Sequence, residues 1–91
     1  MSLVWQPRAK RHLEKIREYI RQYNPLAAAA MAEQIVKSAG AISSFPQIGK
    51  AGRFPDTREL AVAGTPYIIV YRVKDGVVVV LAVLHGAQVV G

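Results

Sequence analysis

The sequence predicts an α+β fold in which two consecutive helices and a mostly antiparallel sheet share one core. Residues 7–42 carry apolar side chains at helical spacing, with one interruption at Asn24-Pro25. Residues 57–84 are rich in β-branched and aromatic side chains and are divided by two glycine-containing turns. A short apolar run precedes the helices, so the predicted order is β-α-α-β-β-β, and residues 1–91 are expected to form a single domain.

The chain opens with a predicted strand, Leu3-Val4-Trp5, which ends before Pro7. Proline is well tolerated in the first turn of a helix, so the first helix is predicted to begin there. Its apolar stripe recurs at steps of three and four and consists of Ala9, Leu13, Ile16, Ile20 and Tyr23. The other face holds half of the basic residues in the chain: Arg8, Lys10, Arg11, Lys15, Arg17 and Arg21. His12 lies among these charges and is expected to be solvated.

The second helix is predicted to run from Pro25 to Ile42, because asparagine is a favoured N-cap and proline is favoured at the first helical position. Its many alanines allow close approach to the first helix, which predicts an antiparallel helical hairpin. Residues 43–56 contain two prolines and two glycines and are predicted to be a loop. Loops this long in a small domain often carry function.

Three strands are predicted after the loop, over residues 57–62, 67–73 and 77–84. Gly64-Thr65-Pro66 marks a turn, and Asp75-Gly76 is a strong signal for a two-residue hairpin. The third of these strands is apolar on both faces, which is typical of a strand near the middle of a sheet. We therefore expect an antiparallel meander with the helical hairpin on one face, and we expect the opening strand to join the same sheet.

Composition limits the classes of function. The formal net charge of +6 favours an acidic partner, and the 52% hydrophobic content favours either a well-filled core or an exposed apolar surface for a partner. The chain has no cysteine, HExxH motif or glycine-rich phosphate loop, so we expect neither a metal nor a cofactor. Charges within the first twenty residues leave no apolar leader, so a soluble, cytoplasmic protein without a membrane partner is expected.

Several segments occur in an order that resembles the ParE branch of the RelE/ParE toxins. They are Tyr23-Asn24-Pro25, Phe45-Pro46, 49–53, 57–60, 64–73 and 83–88. The likeness covers essentially the whole chain. It implies the toxin of a bacterial type II toxin–antitoxin pair, neutralised by a cognate antitoxin whose binding segment is acidic and partly disordered.

The resemblance leaves two mechanisms open. RelE-type members resemble ribosome-dependent mRNA endonucleases, which need an acid or base and cations over the phosphate. His85 is the acid–base candidate here, Arg58 and Arg72 are the phosphate-binding candidates, and Tyr71 or Glu59 would support them. ParE-type members resemble inhibitors of DNA gyrase that act by binding. For that role the candidate partner-binding residues are Arg58, Tyr67, Tyr71, Lys50 and Arg53.

Departures from the nuclease pattern favour the mechanism in which the toxin inhibits DNA gyrase. By the resemblance, RelE-type nucleases carry arginines at the positions of Ile68 and Gly86-Ala87. They also carry lysines on the preceding strand, whereas this chain has no lysine between Glu59 and Gly64. His85 does resemble a histidine of other nuclease branches, so mRNA cleavage remains the alternative. The two-residue period of a strand also places Arg72 on the face opposite Tyr71, which separates two members of the nuclease set.

Each candidate has a structural alternative. His85 equally suits a hydrogen-bonded structural role, and Arg58 could stabilise the loop that precedes it. Tyr67 and Tyr71 share a strand face and are typical of core or interface residues. An inactive or purely nucleic-acid-binding module is a further alternative, but it is supported by charge alone, because stacking aromatic residues on RNA-binding strands are missing.

Overall fold

The computed structural model describes residues 1–86, which form two helices and five strands. Their bounds are β1 Ser2–Trp5, α1 Pro7–Arg21, α2 Pro25–Ser44, β2 Lys50–Ala51, β3 Arg58–Ala61, β4 Tyr67–Lys74 and β5 Val77–His85. The predicted α+β class and element order are confirmed. One further strand, β2, was not predicted. It has two residues and lies inside the segment that the sequence marked as a loop.

The strands form one sheet in the order β1-β5-β4-β3-β2. β5 lies between β1 and β4, the inner position that its apolar side chains predicted. β1 runs parallel to β5, with Ser2 opposite Val77 and Trp5 opposite Val80. The pairs β5–β4, β4–β3 and β3–β2 are antiparallel. The meander and the added first strand therefore stand as predicted.

Local signals place the ends of two elements. The Asn24 side chain accepts a hydrogen bond of 3.1 Å from the Ala27 backbone N–H, so it caps α2 at the predicted residue. Asp75 and Gly76 have φ angles of 52° and 76°, the left-handed pair that a tight two-residue hairpin requires. Within residues 1–86, no helix is long and apolar enough to span a bilayer.

The two helices pack on one face of the sheet, which we call the covered face. The residues buried there from the sheet include Tyr67, Ile69, Tyr71, Val78, Val80 and Val83. Small and branched residues of the helices meet them, among them Ala9, Ile35, Ala39 and Ile42, each 0% exposed. The buried alanines bring the helix backbones close, as the alanine-rich sequence predicted.

The opposite side of the sheet, which we call the open face, has no helix packed on it in the described part of the chain. A β-bulge shapes this face, because Val70 lies opposite Ala82 while Tyr71 lies opposite Val80. Leu81 is the extra residue, and it resets the alternation of β5. Val80 and Val83 can therefore both point into the core although they are three positions apart.

Candidate functional site

The segment between α2 and β3 is fastened to the covered face by a tyrosine. The Tyr71 hydroxyl donates to the Pro46 carbonyl at 2.7 Å and accepts from the Gly49 N–H at 2.9 Å. The close approach of the Tyr71 hydroxyl requires glycine at position 49, because a Cβ there would lie 2.7 Å from the tyrosine oxygen. Arg58, opposite Tyr71 in the sheet, donates from Nη1 to the Gly49 carbonyl at 2.8 Å. Two side chains thus hold one residue of the loop.

An ion pair between exposed Arg53 and buried Glu59 fastens the same segment on the open face. Glu59 is 5% exposed, and its Oε2 accepts from the backbone N–H of Arg53 at 3.1 Å and from Arg53 Nε at 3.0 Å. Arg53 Nη2 donates to Oε1 at 3.1 Å, which makes the contact bidentate. These hydrogen bonds hold the pKa of the Glu59 carboxyl below its ordinary value, against the opposing effect of burial.

Three residues that the sequence nominated for partner binding are therefore engaged in holding this loop. Tyr71 is 0% exposed, while Arg58 and Arg53 are bound to groups of the chain itself. The contact of Arg58 with the Gly49 carbonyl agrees with its structural alternative, in which it stabilises the preceding loop. Lys50 lies on β2 opposite Glu59 and is exposed to solvent. Of these four side chains, Lys50 lies most open to a partner.

His85 and Tyr67 form a second group at the other end of the sheet. They are opposite each other on β5 and β4, and their rings meet edge to face with centroids 5.5 Å apart. Tyr67 is nearly buried, and this burial, with a smaller contribution from Tyr19, raises the pKa of its hydroxyl. The imidazole is thus packed against a phenol that stays protonated at neutral pH.

The structure does not bring the predicted nuclease residues together. Tyr67, opposite His85, lies four positions along β4 from Tyr71, opposite Arg58, and this separation corresponds to roughly 13 Å of strand. Arg72 is exposed on the open face, so it faces away from both groups. Within residues 1–86, no cluster of three or more His, Asp or Glu side chains could hold a metal ion.

The open face carries a groove between α1 and the loop that precedes β3. Its floor is mostly apolar and includes Val70, Leu81, Ala82 and Leu84. One wall is the start of α1 with Arg8, Arg11 and His12, and the other is Phe54 with Thr57. Arg72 rises from β4 into the same groove. Apolar contact surface and positive charge therefore meet in one concave site.

His12 is not merely solvated, and that sequence prediction is wrong. Its ring Nδ1 accepts a hydrogen bond of 3.1 Å from the backbone N–H of Val83, at a part of β5 that lies beyond the end of β1. Partial burial lowers the pKa of the imidazole, and the positive charges of Arg8, Lys15 and Arg11 lower it further. The ring is therefore held in its neutral form at neutral pH.

One sequence signal could have identified His12. It is three positions after the buried Ala9 and four before Ile16, so it borders the apolar stripe of α1. The surrounding run of arginines and lysines obscured this spacing. Its acceptor role depends on a residue of β5 that is distant in the sequence, so no local pattern could indicate it.

The fold is similar to that of solved chains from bacterial toxin–antitoxin systems. It is similar to a chain of the chromosomal ParDE toxin–antitoxin system of P. aeruginosa, with a TM-score of 0.86 and 23% identity over 93% of this chain and 95% of that one. It is also similar to the isolated E. coli RelE toxin, with a TM-score of 0.69 and 24% identity over 92% and 82% of the two chains. These likenesses confirm the RelE/ParE-like fold.

The sequence identifies the family. Residues 3–90 match the family described as the ParE toxin of the type II toxin–antitoxin system parDE. The chain is 38% identical to Toxin RelE2 of Caulobacter vibrioides, over 96% of this chain and 97% of that protein. It is 40% identical to the protein Y4kP of Sinorhizobium fredii, over 92% and 86% of the two chains. The chain therefore belongs to the ParE toxins of type II toxin–antitoxin systems, within the RelE/ParE superfamily.

Proposed function

We propose that this toxin acts by binding DNA gyrase and stalling it on cut DNA, without chemistry of its own, and that a cognate antitoxin neutralises it in the cytoplasm. The observation that carries the proposal is the separation of His85, Arg58 and Arg72. A nuclease must hold its acid, its base and its phosphate-binding cations around one reacting phosphate, within a few ångström. In this chain they lie at two ends and on two faces of the sheet.

The engagement of the arginines supports the same conclusion. A guanidinium that stabilises a phosphate in the transition state must present its donors to the substrate. Arg58 donates to the Gly49 carbonyl, and Arg53 is bound to a buried glutamate. Freeing either group for a substrate would remove one of the contacts that hold the loop on the sheet. These arginines are better suited to building a binding surface than to catalysis.

The residue that departs from the nuclease pattern on β4 also supports this proposal. Ile68 occupies the position at which, by the resemblance, RelE-type nucleases carry an arginine. It is half-buried on the open face beside Leu84. The isoleucine side chain gives the open face an apolar group where a nuclease would have a cation. The other departure noted in the sequence is Gly86-Ala87. The Gly86 N–H donates to the Pro66 carbonyl at 2.7 Å, and Ala87 lies outside the described residues.

A RelE-like, ribosome-dependent mRNA endonuclease is the second candidate. It is favoured by His85, an imidazole at a strand end packed against Tyr67, and by the similarity to a relative that carries the name RelE2. In this alternative the ribosome and the mRNA would have to supply the rest of the site.

Two assays on purified toxin separate the candidates. Gyrase supercoiling and DNA-cleavage assays should show inhibition and accumulation of cut DNA, and these effects should be unchanged in His85→Ala. A translating-ribosome assay should show no transcript cleavage. Transcript cuts that disappear in His85→Ala would overturn the gyrase proposal. Tyr23→Ala, which removes an exposed aromatic ring two residues after α1, controls for loss of a ring outside the His85–Tyr67 contact.

A further inference from the structure

We propose that the groove on the open face binds an acidic amphipathic segment of the antitoxin, and that His12 is a positioning residue that presents a hydrogen-bond donor to one of its carboxylates. This inference rests on the proposed function, because it assumes that a protein partner neutralises the toxin. It adds the place on the chain where that partner binds and the chemistry that selects it.

The charge of the groove selects the partner. Among the described residues, three guanidinium groups line it, those of Arg8, Arg11 and Arg72, and no carboxylate does. Other arginines are satisfied, since Arg17, Arg21 and Arg53 pair with glutamates. Within residues 1–86 the three groove arginines form no ion pair. Their charges therefore remain available to a carboxylate-rich partner.

The floor of the groove distinguishes a protein from a nucleic acid. Leu81 and Leu84 are half-buried there, and Phe54 stands at one wall with 57% of its surface exposed. A phosphate backbone would meet the arginines but leave this apolar surface in water. A segment that alternates acidic and apolar side chains satisfies both, and burial of the floor adds to the binding energy.

The hydrogen bond from Val83 fixes the chemical role of His12. Since Nδ1 accepts the backbone N–H, the neutral ring carries its proton on Nε2 and is a donor there. The charged groups beside it on α1 are Arg8, Arg11 and Lys15, and the sheet contributes Arg72 to the same groove. An imidazole with a fixed tautomer among cations is arranged to donate to an anion.

The test titrates the full-length toxin with the product of the open reading frame that neighbours its gene. Arg11→Glu should weaken this binding at least about tenfold, since it places a like charge against an acidic partner. The matched control is Lys10→Glu, which makes the same charge change at the adjacent position of α1, outside the groove lining, and should stay within about twofold.

Two substitutions at His12 separate positioning from folding. His12→Asn keeps an acceptor at the place of Nδ1 and removes the distal donor, so it should weaken binding several-fold while the melting temperature changes little. His12→Gln keeps a donor at the place of Nε2 and loses the acceptor, so it should lower the melting temperature while binding is largely retained. Equal binding by wild type and His12→Asn would overturn the role of His12.

The remaining outcomes separate this inference from the proposed function. If the wild type binds the neighbouring gene product but Arg11→Glu and Lys10→Glu bind it equally, the groove is not the site. If the wild type does not bind it, the antitoxin assignment fails instead. A 20-nucleotide DNA duplex is the third probe. Loss of duplex binding in Arg11→Glu, with antitoxin binding intact, would assign the groove to nucleic acid and overturn the proposal.

Discussion

The two faces of the sheet come from the same strands and perform different tasks. On the covered face, side chains such as Ile69 are fully buried against the helices. On the open face, the neighbouring Ile68 is half-buried, and the surface continues into a groove rimmed by arginines. The contrast shows how a small domain divides its apolar residues. One set stabilises the fold, and the other is left for a partner.

Ile69→Ala and Ile68→Ala would test this division most directly, because they remove the same atoms at adjacent positions on opposite faces. Loss of the buried side chain should reduce the free energy of unfolding by about 2–5 kcal/mol, through lost burial and a cavity. Loss at the open face should cost about 1 kcal/mol or less, since the site already contacts water. Urea denaturation measures both, and equal losses would contradict the assignment of the two faces.

The loop before β3 is held from both faces, and its open-face attachment is ionic. Arg53→Ala should lower the free energy of unfolding at neutral pH by clearly more than loss of an exposed ion pair does, because it strips charged hydrogen bonds from a buried carboxylate. The depressed pKa of Glu59 contributes stability that is present above about pH 4.5 and is lost as the pH falls further.

This acid-dependent loss should therefore be smaller in Arg53→Ala than in the wild type, which urea titrations at pH 7 and pH 3.5 can compare. Arg17→Ala, whose ion pair with Glu14 is exposed, is the control and should cost little at either pH. If Arg17→Ala loses as much free energy of unfolding as Arg53→Ala, the ion pair of Arg53 with the buried Glu59 has no special role.

The covered-face attachment depends on one hydroxyl. Tyr71→Phe removes a donor to Pro46 and leaves the buried Gly49 N–H without its acceptor, so it should cost about 1–2 kcal/mol. Amide exchange at Gly49 should accelerate in this variant. Tyr23→Phe, at an exposed ring, should change neither quantity. Unchanged protection of Gly49 would show that the hydroxyl does not hold the loop.

The smallest expected effect concerns His12 and the open-face rim. Its lowered pKa means that the unfolded chain binds a proton more readily, so this group destabilises the fold as the pH falls below about 6.5. His12→Gln should remove that dependence and cost about 0.5–1.5 kcal/mol at pH 7.5 through the lost bond to Val83. Thermal melts between pH 5 and pH 8 measure both. A wild-type melting temperature that is flat over this range would contradict the predicted linkage.

Features encoded by neighbouring residues were predictable from the sequence. Asn24-Pro25 located the start of α2, and Asp75-Gly76 located the hairpin, because each acts on backbone within a few residues. The apolar character of β5 on both faces indicated that it is an inner strand of the sheet. Each of these signals is complete within its own segment.

Features that join distant segments were not predictable. The sequence offered no register for β1 beside β5, and it could not show that His12 would meet Val83. The candidate residues His85, Arg58 and Arg72 were chosen by chemistry, and only the register of β3, β4 and β5 shows how far apart they lie. Glu59 was considered for catalytic support, whereas its carboxylate binds Arg53.

The parallel pairing of β1 with β5 has a consequence for when the toxin acquires its shape. β1 finds its partner in β5, and both helices and the three other described strands lie between the two along the chain. Contacts between such distant segments close late and slowly. A nascent chain therefore lacks an inner strand of its sheet and most of the floor of its groove until β5 has been made. A partner that needs the folded groove can bind the chain only after that point.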